Sequence, residues 1–270
     1  MIKRFGNWIL LLLLGLQSLP ASPDVLVLVH GYLGSAGSWE HSGVNAILER
    51  NGWQRGGIVT PSVLLPATRE TQAGNRVYTV ELPSQAPLAV QAGLLQREIG
   101  AIQSRHPDEP LILAGHSAGG VVARLLLVQG GVPNAKALIT IASPHLGTAR
   151  ALEALDATDD PFPISMLKDF FAGGLYDVVR DSWGVLLDLT PARPGTLLYW
   201  LNAQPHPDIA YVSILRPGPV GLGDELVPNF SQDMNNVQTL SGKSATYSLP
   251  VNHELSPADG IKLVEILQAL

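Results

Sequence analysis

The stretch PLILAGHSAGGVVARLLLVQ, residues 110–129, constrains the fold of this chain more than any other part of the sequence. The short apolar run LILA leads into Gly-His-Ser-Ala-Gly-Gly, and an apolar run long enough for a helix follows. A buried strand that turns sharply into a helix produces this pattern. On such a turn the strained backbone pushes the Ser117 hydroxyl into the open, and Gly115, Gly119 and Gly120 leave room for backbone segments to pass. The pattern predicts a strand, an exposed nucleophilic serine and a helix, in that order.

Apolar runs rich in β-branched residues alternate with helical patterns over residues 22–270. This alternation predicts an α/β domain in which a mostly parallel sheet of about six strands is flanked by helices. The predicted strands are VLVLV (25–29), VYTVEL (77–82), LILA (111–114), ALITIA (137–142), AYVSIL (210–215) and ATYSL (245–249).

Helices are predicted from apolar residues that recur at steps of three and four. One such face consists of Leu88, Ala92, Leu95, Ile99 and Ile102. A final helix is predicted over 257–270, where Pro257 suits a first turn. Residues 53–76 give no clear pattern. Residues 150–200 carry bulky apolar residues at helical spacing without a strand pattern, which fits either ordinary packing helices or a helical lid inserted over the site.

The composition excludes several classes of protein and site. The 270 residues include 17 Lys and Arg against 23 Asp and Glu, and no basic run marks a nucleic-acid surface. Cysteine is absent, which excludes disulfides, thiolate metal sites and a cysteine nucleophile. No histidines have zinc-site spacing, and the scattered acids indicate no calcium site. The sequence therefore predicts no cofactor, and it does not indicate an oligomeric state.

The amino terminus has the pattern of a secretory signal peptide. Lys3 and Arg4 precede an apolar run, and small and polar residues follow it up to Ala21. The run is shorter than the roughly 20 residues that span a bilayer as a helix. We therefore predict a signal peptide over 1–21, a domain over 22–270, and export to the periplasm or the medium. An uncleaved anchor or a first core helix is the alternative.

Ser117 needs a base to take its proton, and that base needs an orienting acid. On this type of turn the partners follow in the chain order Ser, acid, His. His253 follows the last predicted strand and precedes the final helix, so we predict that it is the base. Asp224, in the loop after AYVSIL, is the predicted acid, with Glu225 and Asp233 as the alternatives.

A tetrahedral intermediate also needs donors for its oxyanion. We predict the backbone N–H of Ala118, at the start of a helix, and that of Tyr32, in the tight turn that Gly31 allows after VLVLV. His30 is interpreted as a turn-shaping residue. His116 occupies the variable place before the serine, and Gly115 and Gly119 complete the turn.

Another histidine follows a predicted strand end close to the site. His145, in IASPHLGT, either lines the pocket or makes hydrogen bonds within its loop, and the second role is favoured.

Five segments in order, HGYLG (30–34), GHSAGG (115–120), SPHLGT (143–148), GDELVP (223–228) and NHELS (252–256), resemble those of α/β-hydrolases of the bacterial lipase and esterase type. They are also similar to those of GPI inositol-deacylase-like hydrolases. The resemblance implies an α/β-hydrolase fold with Ser117 as nucleophile, His253 as base, Asp224 as its orienter, and Tyr32 and Ala118 as oxyanion donors. Many such lipases hold a calcium ion near the histidine, but its aspartates are not identified in this sequence.

These observations predict a serine hydrolase that cleaves carboxylic esters of apolar or lipid acyl groups, with transient lipid contact through the lid. The same triad also fits an acyltransferase, a thioesterase or a lipid-remodelling deacylase, since a fold does not determine its substrate. A non-catalytic binding protein on the same fold is a further alternative.

Overall fold

Eight strands form one sheet in the computed structural model, which describes residues 23–67, 74–159, 178 and 180–270. They are β1 Val25–Val29, β2 Gln54–Val59, β3 Leu64–Pro66, β4 Arg76–Val80, β5 Leu111–His116, β6 Ala135–Ile141, β7 Ala210–Leu215 and β8 Ser244–Ser248. Their order across the sheet is β3-β2-β4-β1-β5-β6-β7-β8. All neighbouring pairs are parallel except β2 and β3.

Helices cover both faces of the sheet. Those in the described ranges are α1 Ser38–His41, α2 Val44–Arg50, α3 Leu88–Gln103, α4 Ala118–Val128, α5 Ala149–Asp159, α6 Trp183–Asp188, α7 Leu197–Ala203, α8 Asn229–Gln232 and α9 Pro257–Ala269. Apolar residues of α3 and α4 pack on one face. Those of α1, α2 and α9 pack on the other.

The position of β1 between two cores explains why its sequence is apolar throughout. Val25, Val27 and Val29 face the core on the α3 and α4 side, whereas Leu26 and Leu28 face the opposite core. All five side chains are buried. A strand covered on both faces has no solvent side, and burying each of these side chains contributes about 1.5–3 kcal/mol. This central strand therefore holds its C-terminal turn firmly in place.

All six predicted strands are present, but the expected number of about six is too low because β2 and β3 were missed. Strand β2, QRGGIV, is mostly half-exposed and carries two glycines, so it has neither an apolar run nor strict alternation. Gly56 is required by packing, since a Cβ there would lie 2.3 Å from the Tyr78 ring. An edge strand of this kind gives no periodic signal.

The predicted helical face is confirmed, because all five of its apolar residues are fully buried in α3. In the described part of 150–200 the chain forms α5, α6 and α7 and no strand. The rest of the predicted lid, 160–177 and 179, and the predicted signal peptide over 1–21 lie outside the described residues. Within the described residues, no helix combines the length and apolar character that a bilayer crossing requires.

Candidate active site

The predicted turn lies between β5 and α4 and holds Ser117 in a strained conformation. Strand β5 is buried along its whole length, and α4 begins at Ala118. Ser117 has φ 50° and ψ −126°, a conformation that a non-glycine residue adopts only where the surrounding structure imposes it. Its backbone N–H donates to the carbonyl of Ile141 at 2.8 Å. The side chain is half-exposed, as a nucleophile must be.

Two glycines of this turn are required by close approach of the backbone. A Cβ on Gly115 would lie 2.4 Å from the Cα of Gly120. A Cβ on Gly119 would lie 2.3 Å from the carbonyl oxygen of His30, at the end of β1. Any side chain at either place would push α4 away from β5 or β1. The turn therefore depends on glycine for space.

Ser117, His253 and Asp224 form a hydrogen-bonded chain, although they are far apart in the sequence. His253 Nε2 lies 2.9 Å from Ser117 Oγ, and His253 Nδ1 lies 2.9 Å from Asp224 Oδ2. The imidazole is 5% exposed and the carboxylate 1%. Because an ionised carboxylate only accepts, Nδ1 carries the proton and Nε2 accepts from the serine hydroxyl.

The loop after β7 holds Asp224 through both of its oxygens. Oδ1 accepts from the backbone N–H groups of Leu226 and Val227, at 2.9 and 2.7 Å. Oδ2 accepts from Gln232 Nε2 at 3.2 Å in addition to the imidazole. These donors fix the carboxylate so that one oxygen faces the ring of His253.

The two alternative acids lie elsewhere. Glu225 is exposed, and its carboxylate accepts only from the backbone N–H of His253, at 3.4 Å. Asp233 accepts from the N–H of Asn235 at 2.9 Å and begins a short 3₁₀ helix. Of the three candidates, the structure brings only Asp224 to the imidazole.

The turn after β1 packs directly on Ser117. A Cβ on Gly31 would lie 2.8 Å from the Cβ of Ser117. Tyr32 follows this glycine, and Ala118 follows the serine at the start of α4. Within the described residues, neither the N–H of Tyr32 nor that of Ala118 donates to a protein acceptor. Two backbone N–H groups without a protein acceptor among the described residues thus belong to the turns that adjoin Ser117.

His30, in this turn, makes hydrogen bonds through both of its ring nitrogens. Its Nε2 accepts from the N–H of Leu82 at 3.0 Å, so Nδ1 carries the proton and donates to the carbonyl of Gly31 at 3.1 Å. Burial lowers the pKa of His30 below its usual range. The neutral ring ties the end of β1 to the segment after β4.

His116 and His145 are both buried, but they lie in different places. His116 Nε2 is 2.8 Å from the carbonyl oxygen of His253, and burial lowers its pKa to about 3. His145 contacts none of the three chain residues; its Nε2 lies 3.1 Å from Thr140 Oγ1, and its carbonyl accepts from Asn202. These two hydrogen bonds reach Thr140 in β6 and Asn202 in α7, so they join the His145 loop to its neighbouring elements.

Three non-glycine residues with positive φ lie together at this end of the sheet. They are Leu33 at 56°, Ser117 at 50° and Ala142 at 52°, and in the described residues they are the only ones. Leu33 follows β1, Ser117 follows β5 and Ala142 follows β6, three neighbouring strands. The backbone is therefore strained where the serine is held.

Sequence reasoning missed three buried polar residues that support this arrangement. Gln232 donates to Asp224, while Arg216 pairs with Asp259 at 2.6 Å. A signal existed for one of them, because Ser256 and Asp259 have the spacing of a helix capping box. Arg216 and Gln232 lie in loops whose contacts no local pattern reveals.

No three His, Asp or Glu side chains converge on a possible metal site in the part of the chain that the structure describes.

A comparison with protein families matches residues 26–254 to the family described as the alpha/beta hydrolase family. The chain belongs to the alpha/beta hydrolase family. A comparison with curated proteins returns no match.

Solved structures share the fold of this alpha/beta hydrolase at low sequence identity. The mature lipase BlEst2 of Bacillus licheniformis is 15% identical, with a TM-score of 0.63 over 92% of each chain. The lin2722 gene product of Listeria innocua is 16% identical, with a TM-score of 0.58 over 92% of this chain and 95% of that one. The RedJ thioesterase of prodiginine biosynthesis in Streptomyces coelicolor is 17% identical, with a TM-score of 0.56 over 92% and 90%. These likenesses show the fold.

We expect the free energy of unfolding of this alpha/beta hydrolase to decrease as the pH falls from 6.5 towards 4. Burial lowers the pKa of His116 to about 3, of His145 well below 6.5, and of His30 in the same direction. The unfolded chain takes up these protons near pH 6.5, so it binds more protons than the folded state in this range. Each fully neutral buried histidine then contributes a loss of up to about 1.4 kcal/mol per pH unit. Urea titrations from pH 8 to 4 measure the slope.

The Glu98→Gln variant is the control for this pH dependence. Glu98 is buried in α3, neither of its carboxyl oxygens has a partner in the described residues, and burial raises its pKa to about 8. The folded state keeps this proton between pH 4.5 and 8, so Glu98 costs stability as the pH rises. The Glu98→Gln variant should have a higher free energy of unfolding than the wild type at pH 8 and the same value at pH 4. Its free energy of unfolding should therefore depend more steeply on pH. A pH-independent stability in the wild type would contradict the prediction.

Proposed function

We propose that the protein is a serine hydrolase of carboxylic esters that works through an acyl-enzyme. The observation that carries the proposal is the chain from Ser117 Oγ through His253 to Asp224, with both hydrogen bonds at 2.9 Å. A hydroxyl, an imidazole and a buried carboxylate in this order are the parts that general-base activation of serine needs.

In the proposed reaction Ser117 Oγ attacks the acyl carbon, and its proton passes to His253 Nε2. Asp224 stabilises the resulting imidazolium, and the N–H groups of Tyr32 and Ala118 bind the oxyanion. The tetrahedral intermediate collapses, the ester C–O bond breaks, and His253 gives the proton to the leaving alcohol. Water then attacks the acyl-enzyme with His253 again as base, which releases the acid and restores the serine. These steps use protein groups and water alone.

Apolar side chains exposed near the site support an apolar acyl group as the substrate. Leu33, in the turn after β1, is 45% exposed. Val220 and Leu222, in the loop that leads to Asp224, are each 76% exposed, and Phe230 in α8 is 60% exposed. Large exposed apolar side chains in the loops and the short helix that follow the strands of the site suit contact with a greasy ligand.

The segment from α6 to α7, residues 183–203, supports transient contact with a lipid surface. Trp183 and Leu187 in α6, and Tyr199 and Trp200 in α7, are 44–51% exposed. We propose that this segment forms a lid over the site and meets lipid. Export of the protein is a separate proposal, and it rests on the sequence of residues 1–21.

The test combines an active-site label with a substrate series. We expect a fluorophosphonate probe to attach to Ser117 alone, and p-nitrophenyl esters to be hydrolysed faster as the acyl chain lengthens, which mass spectrometry and absorbance measure. A higher kcat/KM on acyl thioesters would favour a thioesterase, and ester products formed with an added alcohol would favour an acyltransferase. If the probe does not label the protein and no ester is hydrolysed, the proposal is overturned in favour of a binding protein.

A further inference from the structure

The loop that carries His253 lies between β8 and α9 and has no regular structure of its own. A general base that must stay within hydrogen-bond reach of two partners needs its backbone held as well as its side chain. Two buried side chains from other parts of the fold supply that support. They bind the adjacent carbonyl groups of Asn252 and His253.

His116 holds the carbonyl of His253. A carbonyl only accepts, so Nε2 of His116 carries the proton and donates over 2.8 Å. The two imidazole rings lie 5.1 Å apart, tilted by 49°. Burial lowers the pKa of His116 to about 3, which keeps the ring neutral at any working pH. The residue next to the serine is thus bonded to the backbone of the base.

Arg216 holds the carbonyl of Asn252. This residue directly follows β7, and its Nε donates over 3.0 Å. Its Nη2 donates to Asp259 Oδ1 at 2.6 Å, and both side chains are fully buried. Asp259 Oδ2 in turn accepts from the N–H of Ser256, at the other end of the loop. The guanidinium therefore has one fixed position.

We propose that His116 and Arg216 are positioning residues that hold the His253 loop as a backbone clamp, so that the imidazole stays between Ser117 and Asp224. The inference rests on the proposed function for its catalytic meaning. Neither side chain bonds to the side chain of Ser117 or Asp224, so the clamp acts only through the backbone of the loop. Since His116 is one residue from Ser117, it keeps nucleophile and base in one rigid unit.

The experiment compares His116→Phe, which keeps the ring shape and removes the donor, with His116→Gln, whose amide can donate from a similar place. We expect His116→Phe to lower kcat by about 10- to 100-fold with KM within about twofold, the scale of a small misplacement of a reacting group. His116→Gln should recover most of that loss. His106→Phe, which removes a hydrogen bond to Tyr78 in β4 and a contact with Glu109 before β5, should leave kcat unchanged.

A readout independent of turnover separates the clamp from the proposed function. The NMR signals of the His253 ring should shift and broaden in His116→Phe but not in His116→Gln. If the wild type neither hydrolyses esters nor takes up the probe, the proposed function fails while these spectra still test the clamp. If His116→Phe does not fold, Arg216→Lys, which keeps the charge beside Asp259, should show the same loss in kcat and the same shifts. The clamp would be overturned if the variant that folds, His116→Phe or Arg216→Lys, had wild-type kcat and spectra. It would also be overturned if His116→Gln lost as much kcat as His116→Phe.

Discussion

Ser117→Ala is expected to lower kcat for p-nitrophenyl ester hydrolysis by about 10⁴- to 10⁶-fold, the scale seen when the nucleophile of such a triad is removed. The substitution deletes the hydroxyl oxygen that lies 2.9 Å from His253 Nε2 and leaves no other nucleophile on the turn. Since alanine fits the same backbone, the free energy of unfolding should change by less than about 1 kcal/mol. Steady-state kinetics and urea unfolding measure the two quantities on the same preparation.

An exposed serine far from the site provides the control for this substitution. Ser104→Ala, just after α3, removes a hydroxyl that bonds only to the backbone of its own helix. It should retain full activity. Hydrolysis by Ser117→Ala at more than about one hundredth of the wild-type rate would show that the chemistry occurs elsewhere, because the hydroxyl accounts for far more than that factor in the mechanism.

Asp224→Asn is expected to lower kcat by about 10³- to 10⁴-fold with little change in KM. An amide in this place presents a donor to His253 Nδ1, so the imidazole is held in the tautomer that cannot accept the serine proton. Glu225→Gln is the matched control, since the carboxylate of this neighbour accepts from the backbone N–H of His253, at 3.4 Å, rather than from the imidazole. The kcat of Glu225→Gln should be no more than a few-fold below that of the wild type.

The comparison of these two acids decides which carboxylate assists the base. If Glu225→Gln were the more damaging substitution, the loop after β7 would have to rearrange before the reaction. Equal and small losses from both would mean that the orientation of His253 relies on its backbone contacts rather than on a carboxylate.

Much of this fold could be predicted because buried elements leave periodic traces. The strands that flank the site, β1, β5, β6 and β7, are buried over most of their length, and their sequences are mainly apolar. Strands β2 and β3 could not be predicted, because they form a half-exposed edge in which packing against Tyr78 selects a glycine at 56. The residues of an edge strand are determined more by the elements that pack against it than by a periodic pattern in its own sequence.

In the candidate site, too, some residues could be predicted from the sequence and others could not. Ser117, Asp224 and His253 could be placed by chain order and by their positions at strand ends, since parallel strands bring their carboxyl ends to one edge. The contacts of His116 and Arg216 could not, because each binds a backbone carbonyl more than 30 residues away, and a carbonyl has no sequence signature. Such hydrogen bonds form only because the fold brings residues that are distant in the sequence together.

The three non-glycine residues with positive φ have a practical consequence for engineering. Leu33, Ser117 and Ala142 each hold a conformation that costs about 1–3 kcal/mol, so a chain with glycine at these places would fold more stably. We therefore expect a library screened for heat resistance alone to favour Ser117→Gly, in which the backbone strain is relieved and the hydroxyl beside His253 is absent. Stabilised variants of this protein should be selected for turnover in the same round, as stability and activity make opposite demands on these residues.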